Sequence, residues 1–333
     1  MHQPVGSQVF MMRFDPEATP FESFDEARAA KIVRAGFGCD HRFEVTGIGR
    51  WTMSAQVATS YRQGRVLLVG DAAHRFPPTG GLGLNTGVED VENLLWKLGA
   101  VLHGRASDAL LDSYEVECRP IARRNTAQSV ENAMRMSEVA KAIGADAGDA
   151  ALAVALQALH DGDATGRFPI IQRAIDDQLK HFAHLQLEMA AAIEAGAFIP
   201  SARRVALPVP MVEEHQPSFL PGSYVPHLWL EPGISTIDQL RFDRFVLFAP
   251  SDAAAEWRAI ATELAGGGYL PVDVVGLDGA MRSEQASAAD FWGGEPYAIL
   301  VRPDGCIAWI EPEDAAADRV RVLSDVLASI APH

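Results

Sequence analysis

The segment from Gly64 to Asn93, GRVLLVGDAAHRFPPTGGLGLNTGVEDVEN, constrains the fold of this chain more than any other part of the sequence. Its apolar run from Val66 to Val69 predicts a short buried strand, and the Gly-Asp pair and the proline-glycine loop after it predict turns. The apolar spacing beyond the loop predicts an amphipathic helix. This order places an acidic side chain and a helix N-terminus on either side of one crevice, where a cofactor with hydroxyls and an electron-poor ring would find partners.

The whole segment closely resembles the second flavin signature of the FAD-dependent aromatic hydroxylases, the single-component group that includes phenol, dichlorophenol and polyketide hydroxylases. The resemblance implies a fold of the α/β (α+β) class. It would comprise the C-terminal part of a flavin-monooxygenase FAD domain with the end of its substrate-binding sheet, followed by a thioredoxin-like domain.

The resemblance also implies which residues bind the cofactor. They are Gly70, Asp71, Pro77, Gly80, Gly83, Leu84 and Asn85. Asp71 would hold the ribitol chain of FAD, and Pro77 would lie over the ring edge where oxygen reacts. The backbone N–H groups of the last three residues would face the pyrimidine end of the flavin, where the helix dipole stabilises an anionic reduced ring. For His74 a hydrogen-bonded structural role is favoured over a flavin contact.

The first flavin signature of that family is absent. A dinucleotide fold opens with a strand and a G-x-G-x-x-G turn, and nothing in residues 1–65 fits this pattern. Gly36-Phe37-Gly38 is followed by Cys39-Asp40-His41 without a third glycine. The string GLDGAMRS, from Gly276 to Ser283, resembles the Asp-Gly motif of these hydroxylases. That motif precedes the Gly-Asp motif in the family, whereas here the string follows it, so a surface turn is expected. The chain is therefore interpreted as the C-terminal portion of a hydroxylase.

The composition argues against several other classes of protein. A formal net charge of −16 disfavours a nucleic-acid partner, which needs a basic surface. No apolar run reaches the roughly eighteen residues of a membrane helix, and the N-terminus lacks a signal-peptide pattern. Three scattered cysteines without a C-x-x-C pair indicate the cytoplasm. His181 and His184 have no third ligand nearby, so no metal site is predicted.

Three domains are predicted along the chain. Residues 1–60 would end the substrate-binding sheet, with a strand at Val9 to Phe14 and a strand pair over Phe43 to Ser60 around Trp51. For Trp51, packing in the core is favoured over substrate contact. Residues 61–204 would form the C-terminal half of the FAD-binding domain and a helical extension. Residues 205–333 would form a thioredoxin-like domain that folds independently.

Two helices are predicted in the middle domain. The first would start at an N-cap at Asn85 or Thr86, stop at Gly104 and bury its apolar residues. The second would run from Ser107 with an interruption or kink at Pro120. Relatives usually carry arginine where this chain has Cys118, a departure expected to alter surface charge. A further alanine-rich helix is predicted over residues 140–159.

The C-terminal domain is predicted to contain a strand, a helix, a strand, a hairpin and a helix. The corresponding ranges are Phe245 to Phe248, Ala253 to Ala265, Val272 to Val275, Tyr297 to Arg302 with Gly305 to Ile310, and Asp314 to Ile330. This order, together with YAILVRPDGCIAW at 297–309, resembles the thioredoxin-like domain of the phenol- and dichlorophenol-type hydroxylases. Phe248-Ala249-Pro250-Ser251 stands where a redox cysteine pair would lie, so the domain is expected to be structural.

The resemblance implies a monooxygenase that uses FAD, NAD(P)H and O2 to hydroxylate a small phenolic substrate through a flavin C4a-hydroperoxide. The catalytic residues remain unknown, and the chain is expected to be inactive alone. One alternative is a non-catalytic remnant or association module, including a homodimer. Another is half of a split hydroxylase that needs a separate N-terminal half chain.

Overall fold

The computed structural model describes residues 8–12, 14–38, 42–162, 166–179, 193–201, 219–277, 297–312 and 318–333. The chain forms two compact units, Met1–Met53 and Ser54–His333. In the described ranges no helix has both the length and the apolar character needed to cross a membrane. The His181 and His184 pair, Cys39-Asp40-His41 and most of the GLDGAMRS string lie outside these ranges.

Unit Met1–Met53 contains a 3-10 turn at Phe21–Ser23 and helix α1 at Glu26–Phe37. The Asp25 side chain caps α1 by accepting a hydrogen bond from the Arg28 N–H. Gly38 ends the helix in the left-handed region with φ of 65°. The Gly36-Phe37-Gly38 string is therefore a helix terminus, in agreement with its exclusion as a phosphate-binding turn.

The strand predicted at Val9 to Phe14 is wrong over its described residues, and of the pair predicted over Phe43 to Ser60 the structure has one short strand, at Gln56–Val57. Residues 9–12 and Phe14 form no strand, and Val9 is largely exposed. Around Trp51 the chain is irregular, and the Trp51 side chain is 65% exposed, so the predicted core packing is also wrong. Apolar alternation alone cannot form a strand here, because a strand needs a partner to pair its backbone groups.

Unit Ser54–His333 begins with two short strand pairs, which join residues just before the flavin-signature segment to residues within it. Strand β1 (Gln56–Val57) pairs antiparallel with β4 (His74–Arg75), and β2 (Arg62–Gln63) pairs antiparallel with β3 (Val66–Leu67). The predicted buried strand from Val66 to Val69 is therefore shorter than expected, and Val66 is exposed.

Two long helices follow. Helix α2 spans Leu82–Leu102, with Gly81 as its N-cap, so it starts before the predicted caps. Helix α3 spans Asp112–Ile143 and continues through Pro120, where an interruption was predicted. Pro120 and Val116 both lie on the exposed side of α3, so the Val116 carbonyl that the proline leaves without a donor can bind water.

The predicted helix over residues 140–159 is two elements. Helix α3 ends at Gly144, whose φ of 95° suits a glycine cap, and α4 spans Asp149–His160. Helix α5 then covers Phe168–Asp176.

The C-terminal elements follow the predicted order. They are β5 (Trp229–Glu231), β6 (Ile234–Ser235), β7 (Phe245–Pro250), α6 (Ala254–Leu264), β8 (Val272–Leu277), β9 (Ile299–Val301), β10 (Ile307–Ile310) and α7 (Arg319–Ile330). Strands β7 to β10 form a four-stranded sheet in the order β10-β9-β7-β8, in which β7 and β8 are parallel and the other neighbours are antiparallel. The predicted strand, helix, strand, hairpin and helix are thus confirmed.

The largest hydrophobic core crosses the domain boundary predicted at residue 205. Trp96 and Ala100 of α2 pack in the same buried cluster as Phe245 and Leu247 of β7 and Trp257 of α6. The rings of Trp96 and Phe245 meet edge to face, with centroids 6.0 Å apart. The sheet therefore buries one face against helices of the middle segment as well as against its own.

Candidate functional site

One wall of the predicted site is the turn between β3 and β4. Residues Gly70–Ala72 form a 3-10 turn, and Gly70 has φ of 58°, which favours glycine. Asp71 is exposed on this turn. The local structure therefore presents a carboxylate to solvent, beside a backbone conformation that few other residues would tolerate.

The second wall is the start of α2. Gly80 and Gly81 have positive φ, and no side chain caps the helix N-terminus at Gly81. The first N–H groups of a helix have no intrahelical acceptor, so those of Gly83 and Leu84 are available to a ligand. Leu84 and Asn85 both lie exposed on this first turn.

The loop between the two walls is anchored to α3. The Thr79 hydroxyl donates to the Ser129 carbonyl at 2.5 Å, and the Asn132 amide donates to the Thr79 carbonyl at 3.4 Å. Pro77 is buried in this loop, whereas Pro78 is exposed. The loop is thus hydrogen-bonded to α3, and Pro78 is exposed to solvent.

His74 confirms the structural interpretation made from sequence. Its side chain is buried, its Nε2 lies 2.8 Å from Asp90 Oδ2, and its ring stacks on Phe76 with centroids 5.3 Å apart. Asp90 Oδ2 also accepts the Gly70 N–H at 2.9 Å.

Sequence reasoning missed Asp90 because an acidic residue in an amphipathic helix is normally assigned to the solvent face. The available signal was the polar set Thr86, Asp90, Asn93 and Lys97, which recurs at helical spacing. All four are buried.

The two walls suit the flavin end of FAD. An exposed carboxylate can accept hydrogen bonds from a hydroxylated chain, and an uncapped helix start stabilises negative charge. Within the described residues no group of three or more His, Cys, Asp or Glu side chains could hold a metal ion.

A separate buried charge cluster links α2 and α3 to the C-terminal hairpin. Arg302 donates to both carboxylate oxygens of Glu117, at 3.0 and 2.8 Å, and pairs with Asp304. Lys97 donates to Glu117 at 2.8 Å, and the Trp96 indole donates to Asp304 at 2.9 Å.

The charges in this cluster balance, with two cations facing two carboxylates. Burial raises the Glu117 pKa, but Arg302 and Lys97 outweigh it and hold that pKa at about 2. Burial lowers the Lys97 pKa, a shift that Glu117 partly opposes. Glu117 also accepts the backbone N–H of Ala197 at 2.6 Å, so the cluster joins four segments: α2, α3, the C-terminal hairpin and the segment at Ala197.

Two cysteines are buried near this cluster. Burial raises the pKa of Cys306 to about 12 and raises that of Cys118 well above its ordinary value. Neutral thiols of this kind are poor nucleophiles. Cys118 lies in the core with Tyr114 and Ala122, so the expected effect of this residue on surface charge is wrong.

Family profiles match both halves of the chain. The profile described as FAD binding domain matches residues 2–129, and the one described as aromatic-ring hydroxylase, C-terminal, matches residues 218–330. The prediction of FAD as cofactor is confirmed at the level of the family.

Curated relatives match along nearly the whole chain. Tetracenomycin A2 monooxygenase-dioxygenase of Streptomyces glaucescens is 35% identical over 96% of this chain and 52% of its own length. The 2,4-dichlorophenol 6-monooxygenase of Cupriavidus pinatubonensis is 31% identical over 98% of this chain and 57% of its own. The chain thus spans about half the length of the curated relatives it matches.

Solved structures show the same pattern. The flavin-dependent monooxygenase PieE, in complex with FAD and substrate, matches with a TM-score of 0.74 and 28% identity, over 98% of this chain and 56% of that one. Aklavinone-11 hydroxylase, with FAD and aklavinone, matches with a TM-score of 0.71 and 27% identity, over 96% of this chain and 54% of that one.

Proposed function

We propose a function from the premise that this chain belongs to the FAD-dependent aromatic hydroxylase family. The chain supplies the flavin-ring side of a monooxygenase that hydroxylates a phenolic or polyketide ring with NAD(P)H and O2. When bound, FAD would relay electrons from NAD(P)H to O2 and so activate the oxygen for this reaction. The NAD(P)H requirement suits the cytoplasmic location predicted from the cysteine pattern.

The observation that carries this proposal is the pairing of exposed Asp71 with the uncapped start of α2. Asp71 accepts hydrogen bonds from the ribitol hydroxyls, with Gly70 allowing the turn. Gly83 and Leu84 direct their free backbone N–H groups at the pyrimidine end of the ring, the exposed Asn85 side chain lies on the same turn, and Gly80 lets the backbone approach the ring. Pro77 stiffens the loop that excludes water from the reacting face.

A complementary half that carries the pyrophosphate-binding turn completes the site in this proposal. Four apolar side chains, Leu84, Val88, Val91 and Leu95, follow one face of α2 and are 80%, 56%, 41% and 50% exposed. We call them the α2 stripe. An apolar stripe of this kind marks an interaction surface. The stripe starts beside the turn proposed to bind the flavin. A complementary half that covers the stripe would therefore also reach the cofactor.

The test is to purify this chain alone and after co-expression with the complementary half, for which we choose the part of the Streptomyces glaucescens relative that this chain does not match. The chain alone should be colourless and should not oxidise NAD(P)H with phenols or polyketide phenols. The complex should be yellow, and mass spectrometry should detect a product heavier by one oxygen atom.

Two outcomes would count against the proposal. A stable complex without bound flavin would favour the alternative of a non-catalytic association module. A yellow, stoichiometrically loaded preparation of this chain alone would contradict the need for a complementary half.

A further inference from the structure

We propose that Asp90 is a positioning residue that, together with His74, holds the Gly70–His74 loop in the conformation that presents Asp71 to the flavin. This inference rests on the proposed function for the role of Asp71. It adds a buried residue of α2, which is hydrogen-bonded to the loop that carries Asp71, to the residues that shape the site.

The geometry places both ends of the loop on one carboxylate oxygen. Asp90 Oδ2 accepts the Gly70 N–H at 2.9 Å and lies 2.8 Å from His74 Nε2. Gly70 precedes Asp71, and His74 begins β4 after it. A single atom therefore joins the entry and the exit of the loop, and Asp71 projects from the middle of it.

Helix α2 also supports the loop through its backbone. The α2 backbone at Gly87, one turn before Asp90, lies against the loop, since a Cβ on Gly87 would be in van der Waals contact with the Gly70 Cα at 3.4 Å. Gly70 has φ of 58°, which favours glycine, and its partly buried N–H needs a hydrogen-bond acceptor. Asp90 provides that acceptor.

The surroundings of Asp90 make a purely packing role a poor explanation. Asp90 is 1% exposed, and burial of a carboxylate is costly unless it is hydrogen-bonded. The neighbouring phenols of Tyr61 and Tyr114 stay neutral, because burial and then the Asp90 charge raise their pKa values. An apolar residue of similar volume would fill this space at lower cost, except that the Gly70 N–H and the His74 ring would lose their partner.

The first arm of the test uses the full 333-residue chain without flavin. Hydrogen exchange by mass spectrometry would follow peptides that cover residues 68–76 in Asp90→Leu, Asp90→Asn and Asp71→Ala. Asp90→Leu should accelerate exchange of this loop by at least about tenfold. Asp90→Asn keeps an oxygen acceptor and should preserve most of the protection. Asp71→Ala alters only an exposed side chain of the same loop and should leave exchange unchanged.

Folding is controlled by a second pair of variants. His74→Leu should loosen the loop, whereas His74→Gln, which keeps a donor at the end of the side chain, should restore it. Circular dichroism and exchange of the α3 peptides identify any variant that loses its overall fold. Unchanged loop exchange in folded Asp90→Leu and in folded His74→Leu would overturn the proposal.

The second arm measures FAD affinity in the complex with the complementary half, for Asp71→Ala, Asp90→Leu and the double variant. If Asp90 acts through Asp71, each single substitution lowers the affinity for FAD by roughly ten- to a hundredfold. The double variant then binds FAD no more weakly than the single variant with the lower affinity. Multiplied losses in the double variant would show that Asp90 acts independently, and the positioning role would be rejected. An unchanged FAD affinity in Asp71→Ala alone would refute the proposed role of Asp71, while loop exchange would still decide whether Asp90 holds the loop.

Discussion

At the residue scale, this chain uses buried polar side chains for two different purposes. Asp90 and His74 lie beneath an exposed acidic turn, and their hydrogen bonds shape a loop. Glu117 and Arg302 lie where two segments distant in sequence meet, and their ion pair joins them. The cost of burying each carboxylate is offset by donors: the Gly70 N–H and the His74 ring at Asp90 Oδ2, and Lys97, Arg302 and the Ala197 N–H at Glu117.

The Asp71 assignment predicts the effect of Asp71→Ala on flavin binding. Loss of one charge-assisted hydrogen bond corresponds to about 1.5–3 kcal/mol, or roughly ten- to a hundredfold in affinity. Fluorescence titration of the complex with FAD would measure the change. Asp161→Ala, an exposed acid after α4, is the control and should bind FAD as the unchanged complex does. Equal affinity for both variants would contradict the assignment.

The Glu117 cluster predicts acid sensitivity of the fold. The folded-state pKa of about 2 lies below the ordinary value of 4.5, so the stabilisation is fully present above about pH 4.5 and is lost as the pH falls toward 2. A depression of this size corresponds to about 3 kcal/mol for a single group. Urea unfolding at pH 5 and pH 3 should show that the free energy of unfolding falls less between these pH values in Glu117→Gln than in the unsubstituted chain. An equal fall in both proteins would contradict the prediction.

At the element scale, α2 and α3 differ most from the helices expected from sequence. Helix α2 turns part of its apolar residues to solvent and buries Thr86, Asp90, Asn93 and Lys97 against its neighbours. Helix α3 continues through an internal proline. Both differences depend on the tertiary surroundings of the helix. These surroundings determine which face of a helix is buried and whether an unfavourable residue such as an internal proline is tolerated, and periodicity does not specify them.

Helix α3 predicts a stabilising substitution. Pro120→Ala restores the donor for the Val116 carbonyl and removes the ring from the helix interior, at an exposed position where alanine causes no clash. We expect the free energy of unfolding to rise by about 1–3 kcal/mol. This gain is reduced by the conformational entropy that the unfolded chain regains when the proline is replaced. Thermal unfolding followed by circular dichroism would measure it, with exposed Ala127→Ser, elsewhere on α3, as a control of small effect. A lower melting temperature for Pro120→Ala would contradict this interpretation.

The α2 stripe predicts where the complementary half binds. Val88→Glu places a charge at the centre of the stripe and should weaken assembly by at least about tenfold, because a buried unpaired charge is costly. Val154→Glu changes a residue of the same type, 70% exposed on α4, and should leave assembly unchanged. Analytical ultracentrifugation of the two-chain complex would separate these outcomes, and equal effects of the two substitutions would exclude the stripe as the interface.

At the scale of the whole molecule, residues 54–333 form one compact unit. The sheet of the C-terminal segment shares its core with Trp96 and Ala100, and Arg302 of its hairpin is buried against Glu117 of α3. Independent folding of the C-terminal segment was expected from its element order. The structure instead favours cooperation between the two segments, because separation would expose both the apolar face and a buried cation.

This arrangement predicts that residues 205–333 expressed alone are much less stable than the same residues in the full chain. The full chain should show one cooperative transition for unit Ser54–His333 in calorimetry, whereas the fragment should unfold at lower temperature or bind a hydrophobic dye. Trp96→Ala should lower the free energy of unfolding of the full chain by about 3–5 kcal/mol, and its melting temperature should fall accordingly. A fragment as stable as the full chain would contradict the shared core. Insensitivity of both to a dithiol reductant is expected, because the described cysteines are free and buried.

The sequence by itself determined the order of the C-terminal elements, the turn that carries Asp71 and the general position of α2. Each of these depends on short-range periodicity and on turn chemistry, which act between residues close in the chain. Only the tertiary structure decided that Asp90 lies beneath the Asp71 turn and that Glu117 meets Arg302, 185 residues away. Whether an acidic side chain on a helix faces water or the interior depends on the donors that distant segments bring to it, and no local pattern encodes them.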